Sequence, residues 1–293
     1  MARDPLLLVH LPKTAGTTLA QLMRYHYRGG AFKGAGNVLS RPDQAEPRLR
    51  TIARKPRFRA AAGHVSFGLA EQVLPEATFV TILREPVART LSQYRFLTAS
   101  GDGAGLVPPW LDGDVGGLTL TEAFDRGYLL DDLQTRMLCG LRSPYDELPD
   151  DALERAQANL RDRFAYVGTT ERFDELLAAL NLALGWPAAA YERAREGAIS
   201  STHPTDEERD SAAERNRLDR ELHAYAGELV SERVDSAVAE EAAVIREATA
   251  RLNGADAVRS DARVERALEE AALVRAAYEE RKQKAKVKRR RET

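Results

Sequence analysis

An α/β fold, built on a parallel sheet flanked by helices and carrying a helical C-terminal extension, is predicted by three features of this 293-residue chain. Short, unbroken apolar runs recur through the first 170 positions, as expected for strands buried on both faces. A polar or glycine-bearing loop ends each run, and a helical pattern of apolar residues follows most of them. Beyond His203 the composition turns to Ala, Glu and Arg with almost no Gly or Pro, which marks a purely helical end.

The elements follow in order. Leu6-Leu7-Leu8-Val9 is the first strand, and a helix is expected from about Thr18, with Leu19, Leu22 and Met23 on one face. Gly29 to Pro47 is rich in Gly, Pro and Asn and reads as loop. Ala60 to Val65 gives a second strand, and Thr78 to Leu83 gives the clearest one. A helix is expected from Pro86, because Val87, Thr90, Leu91, Tyr94 and Leu97 fall at three- and four-residue steps and proline suits a first turn. Ser100 to Gly117 holds six glycines and Pro108-Pro109 around Trp110, a long loop of the kind that covers a site. Helices are expected at Thr119 to Arg126, Leu130 to Leu138, Asp150 to Arg161 and from Phe173, with a short strand Phe164 to Val167. Two sparse apolar stripes then run along Val230, Val234, Val238, Ile245 and Leu252, and along Val264, Leu268, Val274 and Tyr278, on either side of Asn253-Gly254. These place an α/β domain at residues 1–228 and a helical extension with a basic tail at 229–293.

Composition narrows the function. Net charge is −2, yet Arg281 to Thr293 carries eight Lys or Arg against Glu292 alone, so the rest of the chain is acidic and is no general nucleic-acid binder. The tail and the final helices suit self-association or contact with an anionic surface. A single cysteine, Cys139, excludes an internal disulfide and a four-Cys metal site, fits a reducing compartment, and reads as a core residue. Pro5 to Val9 is too short for a signal segment, and no apolar stretch is long enough to span a membrane, so a cytoplasmic location is expected.

The chemistry concentrates in His10-Leu11-Pro12-Lys13-Thr14-Ala15-Gly16-Thr17-Thr18-Leu19. Placed between a strand and a helix, this loop offers unpaired amides and the positive end of a helix dipole to an anion. Gly16 permits a tight turn, Thr17 and Thr18 add hydroxyls, and Lys13 adds a flexible cation. Lys13 precedes the glycine, so the order is not that of a Walker A motif. The string Pro-Lys-Thr-Ala-Gly-Thr-Thr resembles the 5′-phosphosulfate loop of sulfotransferases that use 3′-phosphoadenosine 5′-phosphosulfate (PAPS). The resemblance is nearest to the heparan sulfate 2-O-sulfotransferases and related bacterial enzymes. It implies a P-loop-like sheet, and nucleotide contacts at Lys13, Thr14, Ala15, Gly16, Thr17 and Thr18.

A second string, Leu83 to Tyr94, resembles that family's 3′-phosphate motif, in which an Arg at a strand end and a Ser eight residues later hold the phosphate. Arg84 and Ser92 have that spacing. A guanidinium gives phosphate a forked, charge-assisted contact, and a serine two turns into the helix supplies a further donor.

Gly63-His64-Val65-Ser66 is similar to the segment that carries the base in the 2-O-sulfotransferases, which makes His64 the expected catalytic base beside Lys13. His10 ends the first strand and would satisfy a backbone group, while His26, His203 and His223 read as surface residues. Asp132 to Leu138 and Val167 to Phe173 also resemble bacterial members: Gln134 and Arg136 would face the acceptor and Thr170 the nucleotide. A structural role is the other reading, with Glu171 pairing with Arg172 or capping the next helix.

The resemblance spans about Leu6 to Leu180 and implies transfer of a sulfuryl group from PAPS to an acceptor hydroxyl, of a sugar or glycan, with adenosine 3′,5′-bisphosphate as product and no metal. A kinase or NTPase with a similar cradle, and a non-catalytic nucleotide-binding scaffold, are the alternatives.

Overall fold

The structure, a computed structural model, describes residues 4–100, 106–107, 110–111, 115–192, 205–255 and 261–292. Most of the loop expected over 100–117, His203 and the side chains from Lys288 onward lie outside the described residues.

Five parallel strands form one sheet: β1 (Leu6–Val9), β2 (Phe32–Asn37), β3 (Ala60–His64), β4 (Thr78–Leu83) and β5 (Phe164–Thr169), in the order β2-β3-β1-β4-β5. Parallel neighbours need crossover helices, and these divide between the two faces. On one face lie α2 (Pro42–Ala53), α3 (Phe67–Val73), α4 (Pro86–Ser100), α5 (Leu120–Asp125), α6 (Leu133–Leu138), α7 (Ala152–Asp162), α9 (Asp206–Arg215) and α10 (Arg217–Arg233), around a core that includes Leu7, Val9, Phe79 and Leu83. On the other lie α1 (Gly16–His26), α8 (Phe173–Leu184) and α11 (Ser236–Leu252), around Leu6, Leu8, Val80 and Ile82. The alternation Leu6/Leu8 against Leu7/Val9 is the two-residue period of a strand buried on both sides.

The α/β class with a parallel sheet and C-terminal helices is therefore as the apolar runs predict. Gly29 to Pro47 is a correction, since this stretch holds β2 and the first half of α2. β2 is an edge strand with glycines where apolar residues would have signalled it. Gly36 has φ +124°, and a Cβ on its neighbour Gly63 would fall 2.5 Å from the Gly36 carbonyl oxygen. Glycine at 63 thus lets β2 and β3 approach closely, and Pro42 sits at the start of α2, where its missing N–H costs nothing.

The division expected at 228/229 falls within α10, and α11 packs its Val238, Ala242 and Ile245 into the second core. The last helix, α12 (Ala262–Glu292), buries Val264, Ala267 and Ala271 against Ala190, Val244 and Ala248, and is exposed along 279–287. Among the described residues, no helix is long and apolar enough to cross a membrane.

Candidate functional site

β1 lies between β3 and β4, but its chain leaves toward α1 on one face while those of β3 and β4 leave toward α3 and α4 on the other. A switch of this kind opens a crevice at the carboxyl ends of the strands. The loop after β1 occupies it, with His64 at the end of β3 on one side and Arg84 just past β4 on the other.

The loop is built to present amides. Lys13 (φ 67°) and Ala15 (φ 61°) adopt the left-handed conformation, rare for residues with a side chain and characteristic of backbone nests that bind anions. Within the described chain, none of the amides from Lys13 to Thr17 donates to another group, and Thr18 is the first, to the Ala15 carbonyl at 3.0 Å. Ala15 precedes α1 without a side-chain cap, so the orphan donors of the first turn join the same surface. Thr17 is exposed and Thr18 partly so, leaving both hydroxyls near the surface. The Thr14 hydroxyl, by contrast, is buried and donates to the Leu11 carbonyl at 2.9 Å, fixing the loop.

Two cations converge here. Arg84 Nη1 donates to the Lys13 carbonyl at 3.1 Å, and Lys13 Nζ sits 4.5 Å above the Phe96 ring of α4. Burial, and then the positive charge of Arg84, lower the Lys13 pKa below the ordinary lysine value. A pair of like charges held together in this way is relieved by an anion. Ser92 is part-exposed on α4, two turns after Arg84.

The turn from β4 to α4 is held from behind. Thr170 Oγ1 donates to the Leu83 carbonyl at 3.1 Å, and the Glu85 carboxylate caps α4 by accepting from the amides of Val87 (3.0 Å) and Ala88 (2.7 Å). Glu171 accepts from the Glu85 amide at 3.2 Å and meets His223 Nε2 at 3.1 Å. Burial works to raise its pKa, but the bonds from His223 and from backbone amides outweigh that and hold it at about 2. Arg172 pairs with Glu175 at 2.6 Å, so neither expected role of Glu171, pairing with Arg172 or capping the next helix, is the observed one.

The side chains of Gln134 and Arg136 are engaged within the fold. Gln134 is fully buried and grips the Arg84 peptide from both sides, accepting from its N–H and donating to its carbonyl at 3.0 Å each. Arg136 donates to the carbonyls of Asp131 (2.9 Å), Pro144 (3.2 Å) and Asp146 (2.9 Å), tying down the loop after α6.

On the β3 side, His64 Nδ1 lies 2.6 Å from the His10 carbonyl oxygen. A carbonyl only accepts, so Nδ1 carries the proton and Nε2 of the neutral ring keeps its lone pair. Burial lowers the His64 pKa, opposed in part by that hydrogen bond. The His10 and His64 rings lie 4.3 Å apart, and burial followed by the nearness of His64 puts His10 well below the ordinary imidazole range. The His10 ring also lies against Gly16, where an added Cβ would overlap it, so the glycine is required by the histidine; the tight turn expected of Gly16 is made instead by Lys13 and Ala15. The composition of the loop indicates His10 only as a strand-end residue, and its packing against both Gly16 and His64 comes from the pairing of β1 with β3.

His26 is not a plain surface residue: it stacks on Trp186 at 4.5 Å, and burial, then Arg28, lower its pKa to about 4. Cys139 is buried, as expected. Among the described residues, no group of three or more His, Cys, Asp or Glu could hold a metal ion.

No family model matches this chain, and no curated protein does. Among solved structures, mouse sulfotransferase SULT7A1 complexed with PAP is similar at 12% sequence identity over 72% of this chain, with a TM-score of 0.38. The match covers 63% of that protein's chain. At this level the likeness assigns no residue a role.

Proposed function

We propose that this chain transfers a sulfuryl group from PAPS to an acceptor hydroxyl, with a sugar or glycan as the expected acceptor. One observation carries the reading: Lys13, Arg84 and His64 stand at the ends of three adjacent parallel strands, around a single run of unpaired amides. The amides from Lys13 to Thr17 and the Lys13 ammonium suit the 5′-phosphosulfate, whose oxygens need several donors and a cation. Arg84 and Ser92, eight residues apart across the β4–α4 turn, suit a separate 3′-phosphate. The residues present thus fit a doubly anionic nucleotide.

In the proposed reaction, His64 Nε2 accepts the acceptor's hydroxyl proton as the new oxygen–sulfur bond forms and the bond from sulfur to the 5′-phosphate oxygen breaks. Lys13 and the loop amides stabilise the charge left on that phosphate, giving adenosine 3′,5′-bisphosphate. The depressed pKa of His64 keeps it neutral at physiological pH, as a base requires.

The test is transfer itself. Purified chain, supplied with labelled PAPS and excess chelator, should place label on a member of a glycan and metabolite panel. Absence of labelled product across the panel, with the nucleotide bound, would favour a non-catalytic binding protein. Phosphoryl transfer from ATP that needs Mg²⁺ would favour a kinase.

A further inference from the structure

Asp219, on α10, is fully buried and far in sequence from both phosphate strings, and its carboxylate makes no salt bridge among the described residues. Burying a carboxylate is costly unless its oxygens are satisfied. Here they are: Oδ1 accepts from the Thr135 amide at 2.7 Å and the Thr135 hydroxyl at 2.9 Å, and Oδ2 accepts from the Gln134 amide at 3.0 Å. In return the Asp219 amide donates to Asp132 Oδ1 at 2.9 Å, and the Asp132 amide donates to the Arg215 carbonyl at 3.1 Å. The start of α6 and the start of α10 are therefore bolted together.

Arg89 on α4, which is 1% exposed, is attracted by this carboxylate and by those of Asp132 and Glu85, without a direct ion pair to any of them among the described residues. Its guanidinium donates to Gln93 (2.8 Å) and Thr90 (3.1 Å) on its own helix. Arg89 lies between Arg84 and Ser92 in sequence, on the helix that carries Ser92.

From Asp219 the bonds run in one direction. Asp219 fixes Gln134, Gln134 holds both polar groups of the Arg84 peptide, and Arg84 reaches the Lys13 carbonyl. Arg84 follows the last residue of β4, where the sheet ladder ends with Leu83 paired to Thr169. Gln134 thus does for the Arg84 peptide what a neighbouring strand no longer does.

We infer that Asp219 is a positioning residue for the proposed 3′-phosphate contact, acting through Gln134 to set the direction in which the Arg84 guanidinium leaves the sheet. The inference rests on the nucleotide reading above, and one set of titrations separates the two. Wild type, Gln134→Met and Asp219→Asn are titrated calorimetrically with adenosine 3′,5′-bisphosphate and with adenosine 5′-phosphate, alongside thermal melts. Met matches the length of Gln but makes neither bond to Arg84. Gln134→Met is expected to lose about tenfold in affinity for the bisphosphate, the scale of one hydrogen bond to a charged group, and to stay within about threefold for the monophosphate. Asp219→Asn, which keeps one accepting oxygen, should show a smaller loss of the same selectivity.

A purely structural role would lower the melting temperature and weaken both ligands alike. That result, or unchanged selectivity in folded Gln134→Met, overturns the inference. If Asp219→Asn does not fold, Gln134→Met decides alone. Wild type binding both ligands equally overturns the 3′-phosphate assignment, and the inference with it.

Discussion

The two flanks of the loop after β1 are held by different physics. On the β4 flank everything is charged or hydrogen-bonded: Arg84 is gripped by Gln134, Glu85 caps α4, and Thr170 and Glu171 brace the turn. On the β3 flank the His64 ring is held by one side-chain hydrogen bond, from Nδ1 to the His10 carbonyl, and lies close to the tilted His10 ring. The difference suits two tasks. Holding an anion needs cations aimed by rigid bonds, whereas accepting a proton needs a ring kept neutral. β3 itself supplies neither a carboxylate nor a cation beside His64.

Loss of the β3 group should be the largest effect. His64→Ala is expected to slow turnover by about 10² to 10⁴, the usual worth of a general base, with adenosine 3′,5′-bisphosphate affinity within about twofold of wild type by calorimetry. Loss of the β4 group should act on binding. Arg84→Ala is expected to weaken the bisphosphate by about ten- to a hundredfold, and adenosine 5′-phosphate much less. Equal losses for both nucleotides would show that Arg84 does not meet a 3′-phosphate. Ser92→Ala, removing one neutral donor, should cost the bisphosphate only about three- to tenfold.

The smallest effect is on the pH profile. Because burial lowers the His64 pKa, its competent neutral form persists below the ordinary imidazole range. The turnover rate should stay flat as pH falls through about 6.5 and decline only at more acid pH; a decline centred near 6.5 would show an unshifted imidazole. Stability has the same sign. The unfolded chain takes up protons at His10 and His64 before the folded chain does, so folding is fully supported above about pH 6.5 and weakens as pH falls further.

The fold was legible where apolar runs are long, and four of the five strands announce themselves in that way. β2 does not, because an edge strand with Gly34 and Gly36 has no apolar run; Gly36 has φ +124° and packs on Ala45, while an added Cβ at Gly34 would make only an ordinary contact with Arg48. For the site, residue types were readable but directions were not. Gln134 and Arg136 look like ligand-binding groups in a string, yet Gln134 aims at the Arg84 peptide 50 residues away and Arg136 at the carbonyls of Asp131, Pro144 and Asp146 close by in the chain. His10 and Asp219 were missed for a related reason: their importance lies in partners 54 and 85 residues away. No local pattern encodes such separations.

The division of labour between the flanks is tested most directly by measuring bisphosphate affinity and the single-turnover rate of transfer at saturating PAPS on His64→Ala and Arg84→Ala together. The expected result is a crossed one: His64→Ala loses rate and keeps affinity, while Arg84→Ala loses affinity and keeps most of its rate once saturated. Both variants losing rate and affinity in the same proportion would contradict the account, because the two flanks would then act as one undivided structural unit.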